Sequence, residues 1–367
     1  ILAQIDALVE SGWLSRDPLG SLKTKAGLER FKKEPLPLPQ SVREDIQARL
    51  NQLLKADRSL MEALVILGGE ASTDLLQAVS SFRRGSLDSL VKRNWVFVDT
   101  EGLHEIVCVS NPRILQLVLE SIGTVDQQAL HLKAATGLLA RNPRRVTSIA
   151  QQVAIHFLAA GESSQAFPLL EQAVQRAARR KDVKKVLALT EIALGNEPEA
   201  GAGQAAETQA LFSKFRAYRG RALFGEDELE SAQILLEEAL GSAALSVDTP
   251  LVAGARVDLA SCFLALGETT KAQKILTPLL KHIEPGSPER LRAMCAASAC
   301  LRLQGNLNEA RISWEEALGV AREQGSKEKE AGCLVGLAKV HLASDQIALA
   351  QKALGEAEAL FRGTSGL

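Results

Sequence analysis

The chain has 367 residues, enough for two or three domains that each bury a core. Apolar residues make up 46%, charged residues 24% and aromatic residues 4%, which suits closely packed helices and disfavours a β-sandwich. The net charge of −1 excludes a general electrostatic preference for nucleic acid, and no apolar run reaches the roughly 18 residues of a membrane span.

The first 40 residues predict one helix and a linker. Apolar side chains at Ile1, Ile5 and Leu8 share one face of an amphipathic helix over 1–17. Alternating prolines at 35, 37 and 39 then require an extended chain. Because the sequence opens without Met inside an apparent helix, we expect it to be a piece of a longer protein.

Residues 41–123 predict short helices followed by one β-hairpin. Ser41 and Glu44 have the spacing of a capping box at the start of the first helix. Further helices are expected over 57–67, 75–79 and 87–93. The hydrophobic period then changes to two around Trp95, and a second strand follows the turn. Helices followed by a single hairpin are typical of a winged-helix domain.

Residues 124–204 predict connecting helices and a first helical hairpin, and 205–367 predict a repeat array. A turn residue is followed five positions later by Ala in four places: Gly161, Gly267, Gly305 and Asp345 precede Ala166, Ala272, Ala310 and Ala350. A fifth junction, from Gly225 to Ala232, has two extra residues. The unit of about 40 residues exceeds the 34 of an ordinary tetratricopeptide repeat (TPR). The predicted fold class is all-α with a small β-hairpin wing, in which a winged helix precedes a TPR-like α-solenoid.

One segment resembles a known family. The stretch LPLPQSVREDIQARL, over 36–50, is similar to the linker and helix that join the nucleotide-binding core of STAND-type (AAA-like) signalling ATPases to a winged helix. ALVILG at 63–68, LVKRNWV at 90–96 and the Leu-His pair at 130–131 resemble later segments of these signal transduction ATPases with numerous domains. The resemblance implies the C-terminal part of such an ATPase, with the repeats as its sensor.

No residue of the chain is expected to be catalytic or to bind a metal. The GxxxxGK[ST] loop is absent, so the resemblance places ATP and Mg²⁺ in a core upstream of Ile1 and no cofactor in this fragment. The five histidines lie far apart in sequence, without a hydrolase or metalloprotease motif. The five cysteines form no CxxC pair, which predicts buried reduced thiols and a cytoplasmic protein.

The helix that would read DNA in a winged helix is poorly suited to that task. Over 86–93 it offers only Lys92 and Arg93 near its end, and Asp88 would repel phosphate. A packing role is therefore preferred to DNA binding.

A basic run joins two predicted helices: Arg176, Arg179, Arg180, Lys181, Lys184 and Lys185. It has two readings. Cations at a helix end are often simply solvated and favoured by the helix dipole. The alternative is a docking site for an acidic partner, a nucleotide phosphate or RNA.

The concave groove of the repeats is the main candidate site. First-helix positions counted back from each turn residue predict a groove with aromatic anchors at one end and cations without an interrupting acid: Phe212, Phe215, Arg219, Val257, Arg292, Arg302 and Lys339. Such a groove suits an extended acidic peptide. The alternative is that these cations only keep an apolar trough soluble.

The predicted function is that of a sensor. We expect the groove to bind a protein or peptide partner, an acidic one if the predicted cations contact it, and the winged helix to relay this to the upstream ATPase domain, without DNA or membrane contact. Two alternatives stay open. One is a transcription regulator with DNA-binding activity, and the other is the regulatory region of a serine/threonine protein kinase.

Overall fold

The structure is a computed structural model that describes residues 39–101, 104–198, 206–242 and 249–364, and before these only 5, 7–9, 11, 13–16 and 22–24. Contacts divide the chain into two compact units, Ile1–Leu169 and Leu170–Leu367. The predicted fold class is confirmed, because helices dominate and the first unit adds a small three-stranded sheet. Within the described residues, every helix is too short or too polar to cross a bilayer.

The helix predicted within 1–17, with its end at 12–14, is followed by two short strands that the sequence did not predict. Residues 5 and 7–9 are helical, but β1 (Leu14–Arg16) pairs antiparallel with β2 (Leu22–Thr24). Each strand has three residues, too few for an alternating pattern to be recognised in the sequence. The predicted linker prolines at 35 and 37 lie outside the described residues.

The first unit packs helices around a central one. Its helices are α1 (Gln40–Asn51), α2 (Lys55–Ile66), α3 (Thr73–Ser80), α4 (Arg84–Lys92), α5 (Arg113–Ser121), α6 (Thr124–Arg141) and α7 (Val146–Ala159). Its sheet has the order β3-β5-β4, from β3 (Glu70–Ser72), β4 (Val96–Glu101) and β5 (His104–Val109). Helix α2 contributes the fully buried Leu60, Met61 and Leu64 to the core. The predicted hairpin is thus present, and β3 extends it by one short strand.

Two helix starts of the first unit are capped differently. The capping box at Ser41 is wrong, because α1 begins at Gln40 and its N-cap is Pro39, two residues before Ser41, without a side-chain hydrogen bond. Ser72 does cap α3, since its hydroxyl oxygen accepts a hydrogen bond from the Leu75 N–H.

The second unit consists of paired helices. They are α8 (Ser163–Arg179, which begins in the first unit), α9 (Val183–Gly195), α10 (Ala206–Gly225), α11 (Leu229–Gly241), α12 (Pro250–Ala265), α13 (Thr269–His282), α14 (Pro288–Leu303), α15 (Leu307–Glu323), α16 (Lys327–Ala343) and α17 (Ile347–Thr364). Even-numbered helices from α10 to α16 contact one another in sequence order and form what we call the first-helix layer. This is the predicted helical solenoid.

Left-handed turn residues set the register of the hairpins. The φ angle is positive at Gly161, Gly267, Gly305 and Asp345, as the repeat pattern predicts. In the fifth junction the left-handed residue is Asp227 (φ 62°) rather than Gly225. Asp227 lies five positions before Ala232, so the predicted two-residue insertion is wrong and this hairpin is regular.

Small side chains let the paired helices approach closely. Each Ala that follows a turn residue by five positions is buried: Ala166, Ala232, Ala272, Ala310 and Ala350. Gly220 does the same at a helix crossing, because a Cβ atom there would lie 2.8 Å from Leu236 Cγ. The first-helix layer is therefore held rigidly enough to position side chains along a groove.

Candidate functional site

A large cavity of the second unit runs along the first-helix layer. It has a volume of about 1170 Å³ and is open to solvent. Its lining comes from the C-terminal half of α8, the α8–α9 turn, the first turn of α9, α10, α12 and the N-terminal ends of α14 and α16. We call it the groove cavity. Its size is that of a site for a ligand or an extended peptide segment rather than for an ion.

Asp258 on α12 is the most buried charged group in this cavity lining. Its side chain is only 3% exposed. The Arg221 Nε atom on α10 donates to Asp258 Oδ2 at 2.8 Å, and Arg292 on α14 forms an ion pair with Oδ1. One carboxylate thus connects three consecutive first helices. Because two guanidinium groups share it, the cluster has one excess positive charge and N–H groups left over for a ligand.

The predicted aromatic anchors are wrong. Phe212 and Phe215 are fully buried and pack edge to face, with ring centroids 5.9 Å apart. The cause is the register error at the fifth junction. Counted from Asp227 instead of Gly225, the predicted offsets select Lys214 and Arg221, and both of these line the groove cavity. The five-residue spacing from Asp227 to Ala232 was the sequence signal that could have found them.

The other predicted groove residues have mixed outcomes. Arg292 lines the groove cavity. Val257 is 2% exposed and lies in the floor of a smaller cavity. Arg219 lies against α9, where its Nη1 atom donates to the Leu187 carbonyl oxygen at 2.9 Å. Half-buried Arg302 and exposed Lys339 belong to neither cavity lining, because both lie nearer the helix C-termini.

The basic run divides between the cavity and the solvent. Arg179 and Lys181 line the groove cavity, and Lys181 is itself the left-handed turn residue between α8 and α9 (φ 57°). Three further members of the run are exposed and one is half-buried outside that lining: Arg180, Lys184, Lys185 and Arg176.

The prediction that no acid interrupts the groove is also wrong. Besides Asp258, the cavity lining contains Glu171, which binds Lys214 at 2.8 Å, and Asp182, which caps α9. Glu289 and Glu328 line it from the first turns of α14 and α16. The α8–α9 turn has Arg179 and Lys181 against Asp182, a net charge of +1, whereas the first turns of α14 and α16 contribute only Glu289 and Glu328.

A smaller cavity of about 350 Å³ lies farther along the same layer, and we call it the thiol cavity. Its lining includes Val257, Arg292, Cys295, Trp314 and Lys329. The lining contains two cations and no carboxylate. Arg292 belongs to both cavities, so a change in one cavity can affect the charge arrangement of the other.

Two histidines of the first unit meet although they are distant in sequence. The Nδ1 atoms of His131 on α6 and His156 on α7 lie 2.9 Å apart. Burial, followed by the charge of His131, lowers the pKa of His156 to about 4. Among the described residues, no three His, Cys, Asp or Glu side chains are arranged to hold a metal. The two imidazole rings are therefore neutral and contact each other inside the first unit.

No protein-family model matches the chain, and no curated protein matches it. Among solved structures, a STAND protein with a tetratricopeptide repeat sensor from Pyrococcus horikoshii is similar, with a TM-score of 0.47, 16% identity and 86% of this chain covered. This chain spans 46% of that protein's length.

Two further structures are similar to the chain. BtubC (BKLC) from P. vanneervenii has a TM-score of 0.44 and 15% identity, over 66% of this chain and 92% of BtubC. The apo form of the quorum sensor NprR from B. thuringiensis has a TM-score of 0.39 and 11% identity, over 98% of this chain and 96% of NprR. Similarity at these TM-scores and sequence identities does not indicate what this chain does.

Proposed function

We propose that the second unit is a regulatory binding module whose groove cavity takes an extended segment of a protein partner. The observation that carries this proposal is the Arg221–Asp258–Arg292 cluster at the wall of a solvent-open cavity of about 1170 Å³. A buried carboxylate shared by two guanidinium groups fixes donors in place before a ligand arrives, which reduces the entropy lost on binding.

The charges along the cavity specify the partner further. Arg179 and Lys181 favour an acidic side chain at the α8–α9 turn, whereas Glu289 and Glu328 favour a basic one farther along. The partner segment is therefore acidic at one end and basic at the other. This replaces the uniformly acidic peptide that the sequence alone suggested.

A charge swap tests this recognition. Short random peptides are selected on the full chain, and their affinities are measured by fluorescence polarisation. We expect the peptides selected on the wild-type chain to carry an acidic residue at one position. On the Arg179→Glu/Lys181→Glu variant, we expect a basic residue to be preferred at that position. Arg180→Glu/Lys184→Glu, which changes exposed neighbours outside the cavity lining, is the matched control and leaves the preference unchanged. Selection without a charge preference, or the same effect from both double variants, contradicts the proposal.

We further propose a relay, in which residues 41–123 form a winged helix that passes the state of the groove to a STAND-type ATPase core preceding this chain. The order of helices and hairpin in the first unit supports this assignment. Binding of ATP and Mg²⁺ belongs to that core, and no residue of this chain is assigned to it. A groove peptide that leaves the ATP hydrolysis rate of the longer protein unchanged would contradict the relay.

DNA binding by the winged helix is the competing outcome. Arg84, at the start of α4, donates to Glu105 Oε1 at 3.1 Å and lies 3.9 Å from Asp88 Oδ1. These carboxylates neutralise a cation that a DNA phosphate would need. A salt-dependent gel shift with the full chain and random duplex DNA distinguishes the two. Strong binding that Lys92→Glu/Arg93→Glu abolishes supports a transcription regulator instead.

A further inference from the structure

Two thiols from adjacent repeats meet beside the groove. Cys295 on α14 and Cys333 on α16 place their Sγ atoms 3.8 Å apart. Cys295 is half-buried and lines the thiol cavity, whereas Cys333 is fully buried behind it. A disulfide requires about 2.05 Å between the sulfurs, so a side-chain rotation with a small helix shift can close the gap.

The contact makes this pair chemically unlike the other thiols of the array. The hydrogen bond between the two sulfurs lowers the pKa of Cys333 and raises the pKa of Cys295. The pair therefore loses its first proton more readily than its second, and the remaining proton lies between the two sulfurs. Lys329, in the same cavity lining, partly offsets the rise in the pKa of Cys295 and would favour its thiolate when that form is reached.

We propose that Cys295 and Cys333 form an oxidation site at which a hydroperoxide entering the thiol cavity produces a disulfide between α14 and α16. Of the two sulfurs, only that of Cys295 is placed to meet a small oxidant from the cavity. Cys333 is within reach of Cys295 and of no solvent, which suits it to resolve the oxidised intermediate.

The steps balance with hydrogen peroxide as the oxidant. The shared proton moves to Cys333, and the Cys295 thiolate attacks one peroxide oxygen. The O–O bond breaks, and hydroxide leaves and takes up a proton to become water, so that Cys295 becomes a sulfenic acid. The Cys333 sulfur then attacks the Cys295 sulfur. The S–O bond breaks, and the departing hydroxide takes the Cys333 proton to form a second water. Two thiols lose two electrons, and one peroxide gains them.

The second cysteine pair of the array is a built-in control. Cys262 and Cys300 are also one repeat apart, but both are buried. The Cys300 S–H donates to the Thr269 carbonyl oxygen at 3.4 Å, and burial raises the pKa of Cys262 to about 11. Neither belongs to the lining of the thiol cavity. These thiols should stay reduced under conditions that oxidise the proposed site.

Oxidation would change the wall of the groove. Arg292 lies almost one helical turn before Cys295 on α14, and it holds Asp258. A bond that draws α14 towards α16 shifts Arg292 relative to Asp258 and so alters the groove cavity. This consequence rests on the proposed binding function, whereas formation of the disulfide does not.

The experiment treats the full chain with hydrogen peroxide and measures intact mass and non-reducing peptide maps. We expect the mass to fall by two hydrogen atoms, with the cross-link mapped to Cys295 and Cys333. In Cys333→Ser the sulfenic acid at Cys295 accumulates and is trapped by a 1,3-dione reagent. Cys333→Ala is the second variant if the serine is not tolerated in this buried place.

Two results would overturn the oxidation site: a cross-link at Cys262 and Cys300 instead, or a Cys295 that stays reduced while these thiols react. The double variant Cys262→Ser/Cys300→Ser should still form the disulfide. Peptide affinity is then compared between reduced and oxidised chains. Because the cross-link is mapped without peptide, failure of the groove to bind any peptide leaves the oxidation result intact and separately readable.

Discussion

Gly254 on α12 leaves the space that the guanidinium group of Arg221 on α10 occupies. A Cβ atom at Gly254 would lie 2.7 Å from Arg221 Cζ. The glycine is inside a helix, where it costs about 0.5–1 kcal/mol relative to alanine. The glycine is nevertheless required here, because the Arg221 side chain crosses this position to reach Asp258.

Gly254→Ala should therefore lack the gain in stability that replacement of a helical glycine by alanine usually gives. Arg221 must move and weaken its charged hydrogen bond to Asp258, a loss of up to about 1–2 kcal/mol that exceeds the gain in helix propensity. Gly332→Ala is the matched control, because Gly332 stands at the same repeat position on α16 with nothing within 4 Å of its Cβ site. Urea unfolding should show Gly332→Ala stabilised by about 0.5–1 kcal/mol and Gly254→Ala destabilised. Equal gains in both variants would contradict the role of the glycine.

The two arginines on Asp258 should behave non-additively. Arg221→Met or Arg292→Met alone leaves the buried carboxylate one partner, so each should cost about 1–2 kcal/mol of unfolding free energy. The double variant leaves it unpaired and should cost about 3–5 kcal/mol.

A double-mutant cycle by chemical denaturation measures this coupling. Arg302→Met on the same helix as Arg292 is the control, and it should change stability by no more than about 0.5 kcal/mol. A double variant no worse than either single variant would mean that Asp258 finds water or another partner.

The periodicity of the sequence predicted the helical hairpins, because these depend on residues that are close together in the chain. The spacing of Gly267 and Ala272 reports a hairpin made by two helices close in sequence, and the structure contains it. Long-range pairing was not predictable in this way. Asp258 meets Arg221 and Arg292 from two other repeats, and nothing within one helix indicates which of its faces is covered.

A register error in one turn then propagated to the candidate site. Positions counted by helical offset depend on the turn residue from which the count begins. A shift of two residues rotates the selected position by more than half a turn of the helix. That rotation exchanged Arg221 for Arg219 and Lys214 for Phe212. The sequence favoured Gly225 because glycine adopts positive φ most easily, but Asp227 adopts it here (φ 62°).

Gly336 on α16 is predicted to be indispensable for packing against Trp314. A Cβ atom there would lie 2.5 Å from the indole ring, and the ring is rigid and buried. Gly336→Ala should therefore destabilise the second unit by about 1–3 kcal/mol through overpacking. Gly332→Ala, one turn earlier on the same helix, again serves as the control, and Trp314 fluorescence should shift only in Gly336→Ala. An unchanged spectrum and a gain in stability would show that the ring can move aside.

The His131–His156 contact predicts that the first unit loses stability in mild acid. The pKa of His156 is lowered from 6.5 to about 4 in the folded chain, mainly by burial. As the pH falls below 6.5 the unfolded chain takes up a proton that the folded chain refuses. The unfolding free energy therefore falls by up to about 1.4 kcal/mol per pH unit until the pH approaches the folded pKa.

Urea unfolding of the first unit, followed by circular dichroism between pH 7 and pH 5, measures this slope. His156→Gln removes the titrating ring and should flatten it. His341→Gln is the control, because His341 is only half-buried and contacts Gln346 near the surface of the other unit. If His156→Gln keeps the acid sensitivity of the wild type, the neutral pair is not its source. A flattened slope would identify His156 as the group whose protonation destabilises the folded chain in acid.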